Sequence, residues 1–459
     1  MSRSGVVGKN GNPAILGPVK SNMEDPWIPD TRALRIGPNE LHISDSTLYH
    51  TLYSQDHAFA KHPYFYEAFM TPHSVFVETD RSLHRQRRKM LNNFFSKSSI
   101  RGMQHLLYEK VNNLCTIVSG MDKNHSLNIY NAVRCMTIDI ISDLGFGRSF
   151  GLTDNAKGSQ FEAEFLKVFD IAADSIWDLI YFPLIRTVLN KMPPAFINLL
   201  GGPAAHMIRL SEAIQDVVAR FRATQAAGKS PEHETIFDGL SELDDREMLA
   251  EATDIIIAGS DTTATTLAVA VHQLTCNPDK YDTLKTEIQR ANLKSARDYD
   301  LKDLEKLSYL SACVKEALRF ASAVPGRLPR IVPPPQSKTV PLIVDQKVIP
   351  PGTVVGMSAY TVHTDKEIWG DDAREFKPER WLEPEGKQLE KYLVTFSKGA
   401  RQCLGINLAY AEITLALAMF MSRFNFEKDT TLSKEDLELR DSFTFGFVGS
   451  GPCVKVSSG

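Results

Sequence analysis

The stretch Phe396-Ser397-Lys398-Gly399-Ala400-Arg401-Gln402-Cys403-Leu404-Gly405 constrains this chain more than any other. One cysteine stands between two glycines, directly before an apolar run that reads as a helix over about 405–423. Gly399 permits a tight turn with unusual backbone angles, and Gly405 removes a side chain where a flat group could approach. The helix N-terminus behind Cys403 offers unpaired N–H groups and a positive dipole end, both of which stabilise a thiolate. Arg401 adds positive charge. A thiolate so placed can ligate haem iron and push electron density onto it. A cysteine before a helix is more often an inert buried thiol, so the string has to be weighed with the rest of the chain.

With 459 residues, 43% of them hydrophobic, the chain can bury a large core. Its 52 basic and 56 acidic residues nearly cancel, which gives no reason to expect nucleic acid as a partner. Cys115, Cys135, Cys276, Cys313, Cys403 and Cys453 are too scattered for a disulfide framework, and no pair has zinc-ligand spacing. They read as mostly buried free thiols of a reducing compartment. Residues 1–33 read as a loose polar arm without the basic start and apolar centre of a signal peptide. No uninterrupted apolar run approaches the ~18 residues of a membrane span.

Hydrophobic periodicity sets the expected architecture. Residues 35–43 read as two short strands around the turn Gly37-Pro38-Asn39. Helical period then dominates: a basic helix over 79–95, apolar helices over 128–144 and 161–180, a long helix over 244–276, another over 308–321 and the last over about 405–423. Acids fill the first turn of the long helix, where the helix dipole favours them, and Asn277-Pro278 ends it. Segments 340–344 and 353–360 alternate like strands joined across Pro350-Pro351-Gly352. The fold class expected is mainly α with a small β-rich lobe. Nothing reads as alternating βαβ units, which argues against a dinucleotide-binding fold.

Three further segments can carry chemistry. Glu316 and Arg319, at i and i+3, share a helix face and can pair, although such pairs are common surface decorations. Ala258-Gly259-Ser260-Asp261-Thr262-Thr263 puts Gly and consecutive Thr inside the long helix, where both are poor choices. A local rule broken inside an otherwise good helix marks a functional site as readily as a polar kink. In His84-Arg85-Gln86-Arg87-Arg88-Lys89, His84 and Arg88 face one way at i and i+4, while the rest can be an ordinary solvated face.

The ten-residue string matches F-x-x-G-x-R-x-C-x-G, the haem-binding signature of the cytochrome P450 family. The other segments resemble that family in order and spacing from about Arg35 to the C-terminus: the groove A/G-G-x-D/E-T at Ala258–Thr262, E-x-x-R at Glu316–Arg319, and a P-E-R element at Pro378–Arg380. The chain is most similar to filamentous-fungal members of secondary metabolism, the trichodiene oxygenase-like group. The resemblance implies one P450 domain over 34–459, with haem b (iron protoporphyrin IX) between the long central helix and the cysteine-loop helix. Cys403 is then the axial iron ligand, with Phe396, Gly399 and Gly405 shaping its loop. His84, Arg88, Arg330 and Arg401 hold the haem propionates, with Arg327 as a competitor for the place of Arg330; arginine suits carboxylates because its fork donates two hydrogen bonds. Gly259 leaves room for O₂. Thr262 holds the bound dioxygen and a water, and Asp261 relays protons. Glu316, Arg319 and Arg380 fold the proximal side of the haem.

The implied activity is a monooxygenase that hydroxylates, epoxidises or further oxidises a small apolar terpenoid or polyketide, using O₂ and electrons from NADPH through NADPH–cytochrome P450 reductase. The alternatives keep the haem but change the chemistry to isomerase, dehydratase or peroxygenase, or to a non-catalytic haem-binding protein; a haem-free scaffold is the bland extreme. The presence of both Asp261 and Thr262 favours the monooxygenase. Fungal members usually carry an anchor helix, so the cytosolic face of the endoplasmic reticulum is expected for the family; no anchor reads from residues 1–33, which leaves membrane attachment open and a soluble cytoplasmic monomer as the other expectation. For the substrate pocket the sequence offers Phe65, Phe69, Phe76, Trp177, Tyr181, Phe182, Ala323, Val324, Phe443, Thr444 and Phe445, each of which can equally be plain core.

Overall fold

A computed structural model of the protein describes residues 31–458 except 57–58, 122–125, 194–196, 198, 200, 229–232 and 336–340. All but the last three residues of the arm expected over 1–33 lie outside the described residues. Helices dominate, and the strands form four small sheets. The largest sheet joins β1 (Ala33–Gly37), β2 (Glu40–Ile43), β3 (Ala60–Lys61), β4 (Arg330–Ile331) and β5 (Val354–Gly356) in the order β1-β2-β5-β4-β3. The β1–β2 hairpin closes at Gly37-Pro38-Asn39, as the sequence predicts. β5 runs parallel to β2, and β4 sets Arg330 opposite both Val355 and Lys61.

Five helices position the site: α1 (Arg81–Asn92), α2 (Ile129–Phe146), α3 (Asp245–Cys276), α4 (Ser308–Ala321) and α5 (Ile406–Arg423). Three of them start or stop on a local signal. Asp80 caps α1 by accepting from Ser82 and Leu83 N–H, both at 2.8 Å, and Asp244 caps α3 by accepting from Glu247 N–H at 2.8 Å. Gly147, at φ 71°, ends α2 in the left-handed region that glycine tolerates. α3 packs along α2 and also touches α4 and α5, so the long helix is the axis of the main core. It is the one helix among the described residues long and apolar enough to cross a membrane, and 67% of that window is buried inside the protein.

Two sequence expectations need correction. The helix expected over 161–180 is two helices, Glu164–Asp174 and Ile176–Tyr181. Phe161 takes φ 48°, outside the helical region, and the Ser175 N–H bonds to Ala172 O, three residues back, which tightens and ends the first ladder. The strands expected over 340–344 and 353–360 are not partners; Val340 lies outside the described residues. Ile343–Val344 pairs instead with Lys347–Val348 across Asp345 and Gln346, both at positive φ as a tight two-residue hairpin turn requires. Val354–Gly356 goes to the large sheet, and Ser358 caps a short helix, Ala359–His363. As expected of reduced thiols, all six cysteines are free; Cys115, Cys135, Cys313 and Cys453 are buried and Cys276 half-buried.

Candidate active site

The cysteine loop is held from both ends. Cys403 N–H donates to Phe396 O at 2.9 Å, Gln402 N–H to Gly399 O at 3.0 Å and Ala400 N–H to Ser54 O at 3.3 Å. Gly399 sits at φ 74°, and a Cβ there would collide with the carbonyl oxygens of Tyr53 and Ser54, so only glycine fits. At Gly405 a Cβ would meet nothing within 4 Å. Cys403 is exposed by surface area although it lies among protein atoms. Its exposure is to the cavity that it lines. Burial pushes the thiol above its ordinary range, opposed by the Gly405 N–H and by Arg88.

That space is a cavity of about 320 Å³ between α3 and the start of α5. Its walls are mostly apolar, which suits a flat hydrophobic ring system and an apolar substrate. Cations collect along one part of it. His84, Arg88 and Arg401 line the cavity, and so does Lys61, which sequence reasoning missed. Arg88 donates to Gln402 O at 2.6 Å, and Arg401 to Glu78 O at 2.6 Å and Thr79 O at 3.3 Å. Lys61 donates to Phe76 O and lies over the rings of Tyr66 and Phe76. Arg330 is not on the wall. It stands behind it, donating to Tyr66 OH at 2.7 Å and to Pro329 O at 3.0 Å, because β4 turns it toward the sheet. Arg327 is committed elsewhere, paired with Glu40 at 2.8 Å.

None of Lys61, Arg88, Arg330 and Arg401 makes an ion pair with a carboxylate among the described residues, although Lys61 and Arg330 are only 6% and 3% exposed. Burial and then the neighbouring Arg330 hold Lys61 well below the usual lysine range, and the same two causes lower Arg401 to about 10. Clustered buried cations without counter-ions are costly. A dicarboxylate edge such as that of haem b would neutralise them. An accessible thiol, an open space at Gly405 and unpaired cations are together the surroundings that group requires.

On the other wall, α3 exposes Ala258 and part of Thr262 to the cavity within an otherwise buried helix. Thr262 Oγ1 donates to Ala258 O at 2.9 Å, and Thr266 Oγ1 to Thr262 O at 2.9 Å. These back-bonds satisfy the polar residues that the sequence places oddly in a helix interior. Gly259 lines the same wall, but its missing side chain spares Ile141 of α2: a Cβ would stand 2.6 Å from Ile141 Cγ1. Asp261 points elsewhere. It lies in a separate polar cleft of about 250 Å³, paired with Arg134 Nε at 2.6 Å, while Arg134 also holds Asp170. Among the described residues Thr444 is the one side chain shared by the two walls, and its hydroxyl donates to Asp261 at 3.4 Å. Arg134 had a sequence signal, being a charge inside the apolar run that forms α2.

Three acids near the cavity were also missed. Asp254 lines it, Glu251 stands one turn earlier on α3, and Glu412 of α5 lines it beside Thr263. Burial holds the Glu412 carboxyl well above the usual range. Of the aromatic pocket candidates, Phe69, Phe76 and Phe443 line the cavity with Ala323, Val324 and Thr444. Phe65, Trp177 and Tyr181 pack behind them, Phe445 packs against Tyr360, and Phe182 is 53% exposed on the surface.

The E-x-x-R pair is wholly buried. Arg319 donates to Glu316 at 2.7 and 3.0 Å and to the carbonyls of His363, Ala373 and Glu375; Arg380 donates to Glu316 Oε1 at 3.1 Å. Trp381 Nε1 and the Lys377 N–H complete the shell at 2.9 and 2.8 Å. The network reaches the cysteine loop: Val394 N–H donates to His363 Nε2 at 2.9 Å, and Thr395 Oγ1 to Leu318 O at 2.8 Å, just before Phe396.

Comparison with known proteins adds a second line of support. The family model described as Cytochrome P450 matches residues 34–447. The chain is 31% identical to the cytochrome P450 monooxygenase claJ of Penicillium crustosum over 91% of its own length and 96% of that protein. It is 34% identical to the cytochrome P450 monooxygenase sdnE of Sordaria araneosa and 30% identical to the cytochrome P450 monooxygenase aneF of Aspergillus aculeatus, covering 89% of this chain and 82% of the relative in each case.

Proposed function

Since the chain belongs to the cytochrome P450 family, we propose that it is a haem-thiolate monooxygenase that hydroxylates, epoxidises or further oxidises an apolar terpenoid or polyketide of a fungal biosynthetic pathway, fed by NADPH–cytochrome P450 reductase. The observation that carries the reading is the Cys403 thiol, exposed to a mostly apolar cavity at the start of α5. Haem b bound there supplies activation of O₂ with electrons delivered from a redox partner. Cys403 would ligate the iron; Arg88, Arg401, His84 and Lys61 would hold the carboxylates, with Arg330 supporting them from behind. Thr262 would hold a proton-bearing hydroxyl above the reacting centre, and Asp261, in contact with the polar cleft, would carry protons inward. Glu316, Arg319 and Arg380 would fix the cysteine loop. We assign residues 34–459 to one domain.

Exposed Arg85 and Lys89 on α1 support docking of an acidic reductase face. Exposed Phe182, Leu184, Ile185 and Val188 support contact with a membrane surface. One observation favours the alternative chemistry of an isomerase, dehydratase or peroxygenase: the Asp261 carboxyl is engaged by Arg134 rather than facing the cavity. Thr262→Ala separates the readings. It should uncouple NADPH oxidation from product formation severalfold; unchanged coupling removes Thr262 from the mechanism. Metabolite profiling after gene deletion would show the accumulating substrate or its close precursor.

A further inference from the structure

One buried titratable side chain joins the charged network to the cysteine loop, and the oxidation chemistry does not use it. His363 ends the short helix Ala359–His363 and is 1% exposed. Two different groups tie it down. Its backbone carbonyl accepts from Arg319 at 2.6 Å, and its ring Nε2 meets the Val394 N–H at 2.9 Å. A backbone N–H can only donate, so Nε2 carries the lone pair and the ring proton sits on Nδ1. Nδ1 has its own partner, Ser322 Oγ at 2.8 Å, and that hydroxyl donates onward to Arg319 O at 2.9 Å. Ser322 is the left-handed residue, φ 42°, that ends α4. Burial and then the Arg319 charge lower the imidazole to about 3, so the ring is neutral and its lone pair is free to accept.

Val394 opens the cysteine loop. Its carbonyl accepts from Ser397 N–H at 2.8 Å, closing the turn 394–397, and Phe396 O inside that turn accepts from Cys403 N–H at 2.9 Å. The ring therefore holds the first residue of a turn whose carbonyls hold the cysteine. Without it the Val394 N–H would be orphaned in a buried place, and the turn could find another partner only by shifting. We propose that His363, as the neutral Nδ1–H tautomer, is the positioning residue that sets the backbone of the cysteine loop and so aims the Cys403 sulfur into the cavity. The inference rests on the haem-thiolate reading and deepens it. Glu316, Arg319 and Arg380 make a rigid body, and His363 turns that rigidity into the geometry of the iron ligand.

Three substitutions in the full-length haem protein separate the two bonds of the ring. Glutamine sets an amide oxygen near the place of Nε2 and can accept from Val394. Asparagine reaches only the place of Nδ1 and keeps a bond to Ser322. Leucine keeps neither. At equal haem content, the reduced carbon monoxide complex is read as the share of red-shifted, thiolate-ligated Soret band against the unshifted band. Wild type and His363→Gln should be almost wholly red-shifted. His363→Asn and His363→Leu should carry roughly fivefold more of the unshifted form, the worth of one neutral hydrogen bond. Equal shares in all four proteins, or glutamine and asparagine variants that behave alike, overturn the proposal. A second measurement needs no destabilised variant. Nitrogen-15 NMR of the same diamagnetic complex of wild type, with the His363 signals identified by their loss in His363→Gln, should show a protonated Nδ1 and a bare Nε2 at pH 7; a protonated Nε2 overturns the proposal. A wild type with no red-shifted band at all would instead overturn the monooxygenase reading on which it rests.

Discussion

The two sides of the cysteine loop are built on opposite rules. On the side of α4, the buried charges Glu316, Arg319 and Arg380 are saturated: carboxylate oxygens, guanidinium groups, an indole N–H and backbone carbonyls all meet at 2.6 to 3.4 Å. Around the cavity, Glu251 Oε2, Asp254 Oδ2 and Glu412 Oε2 have no hydrogen-bond partner among the described residues, and Lys61 and Arg88 make no ion pair there, although Asp254 is near enough to act on the charge of Lys61. A protein leaves buried polar groups unmade where something else is meant to complete them. One side is a finished frame, and the other is a socket.

The largest effect expected from breaking this contrast is on the frame. Arg319→Ala leaves Glu316 with Arg380 as its one guanidinium among the described residues and orphans the buried carbonyls of His363, Ala373 and Glu375; it should cost about 3–5 kcal/mol, seen as a large drop in thermal midpoint with and without haem. Arg319→Lys should recover only part of it, because an ammonium cannot replace a fork that serves five acceptors. A stable Arg319→Ala protein would end the distinction between frame and socket. Lys61→Met should behave in the opposite way. It removes a buried amine that makes no ion pair among the described residues and has only the Phe76 carbonyl, two rings and the nearby charge of Asp254 to offset its burial, so the haem-free protein should keep its midpoint or gain. Haem affinity should fall roughly tenfold, about 1.4 kcal/mol, by haem-transfer titration. Equal losses in both states would make Lys61 part of the frame.

The smallest effect concerns pH. Burial, with Asp254 adding to it and Arg87 opposing, raises Glu251 from the ordinary 4.5 to about 8. The folded state therefore holds this proton more tightly than the unfolded chain does. The stability it contributes is complete below about pH 4.5 and is lost as pH rises through 8. Midpoints of wild type relative to Glu251→Gln should fall between pH 5 and 8.5. Parallel curves would mean that the Glu251 proton does not distinguish folded from unfolded protein.

The frame was largely legible in the sequence and the socket was not. Glu316 and Arg319 lie one turn apart, and the loop from Phe396 to Gly405 is contiguous, so local geometry decides both. The same holds for the Asp80 and Asp244 caps and the 37–39 turn. Lys61 reaches the cavity only because a two-residue strand pairs it with Arg330, hundreds of residues away. Asp261 faces a different cleft from Thr262 because Arg134 on α2 claims it. Asp254 and Glu412 read as ordinary helix acids until their neighbours are known. Such features depend on contacts between distant segments, which periodicity does not encode.

The reduced protein under carbon monoxide tests Cys403 most directly. Wild type should show the red-shifted Soret band of thiolate ligation, and Cys403→Ser should lose that band while Lys61, Arg88 and Arg401 still offer their charges to a haem. A histidine-like band in wild type, or a red-shifted band that survives Cys403→Ser, would contradict the assignment of Cys403 as the iron ligand.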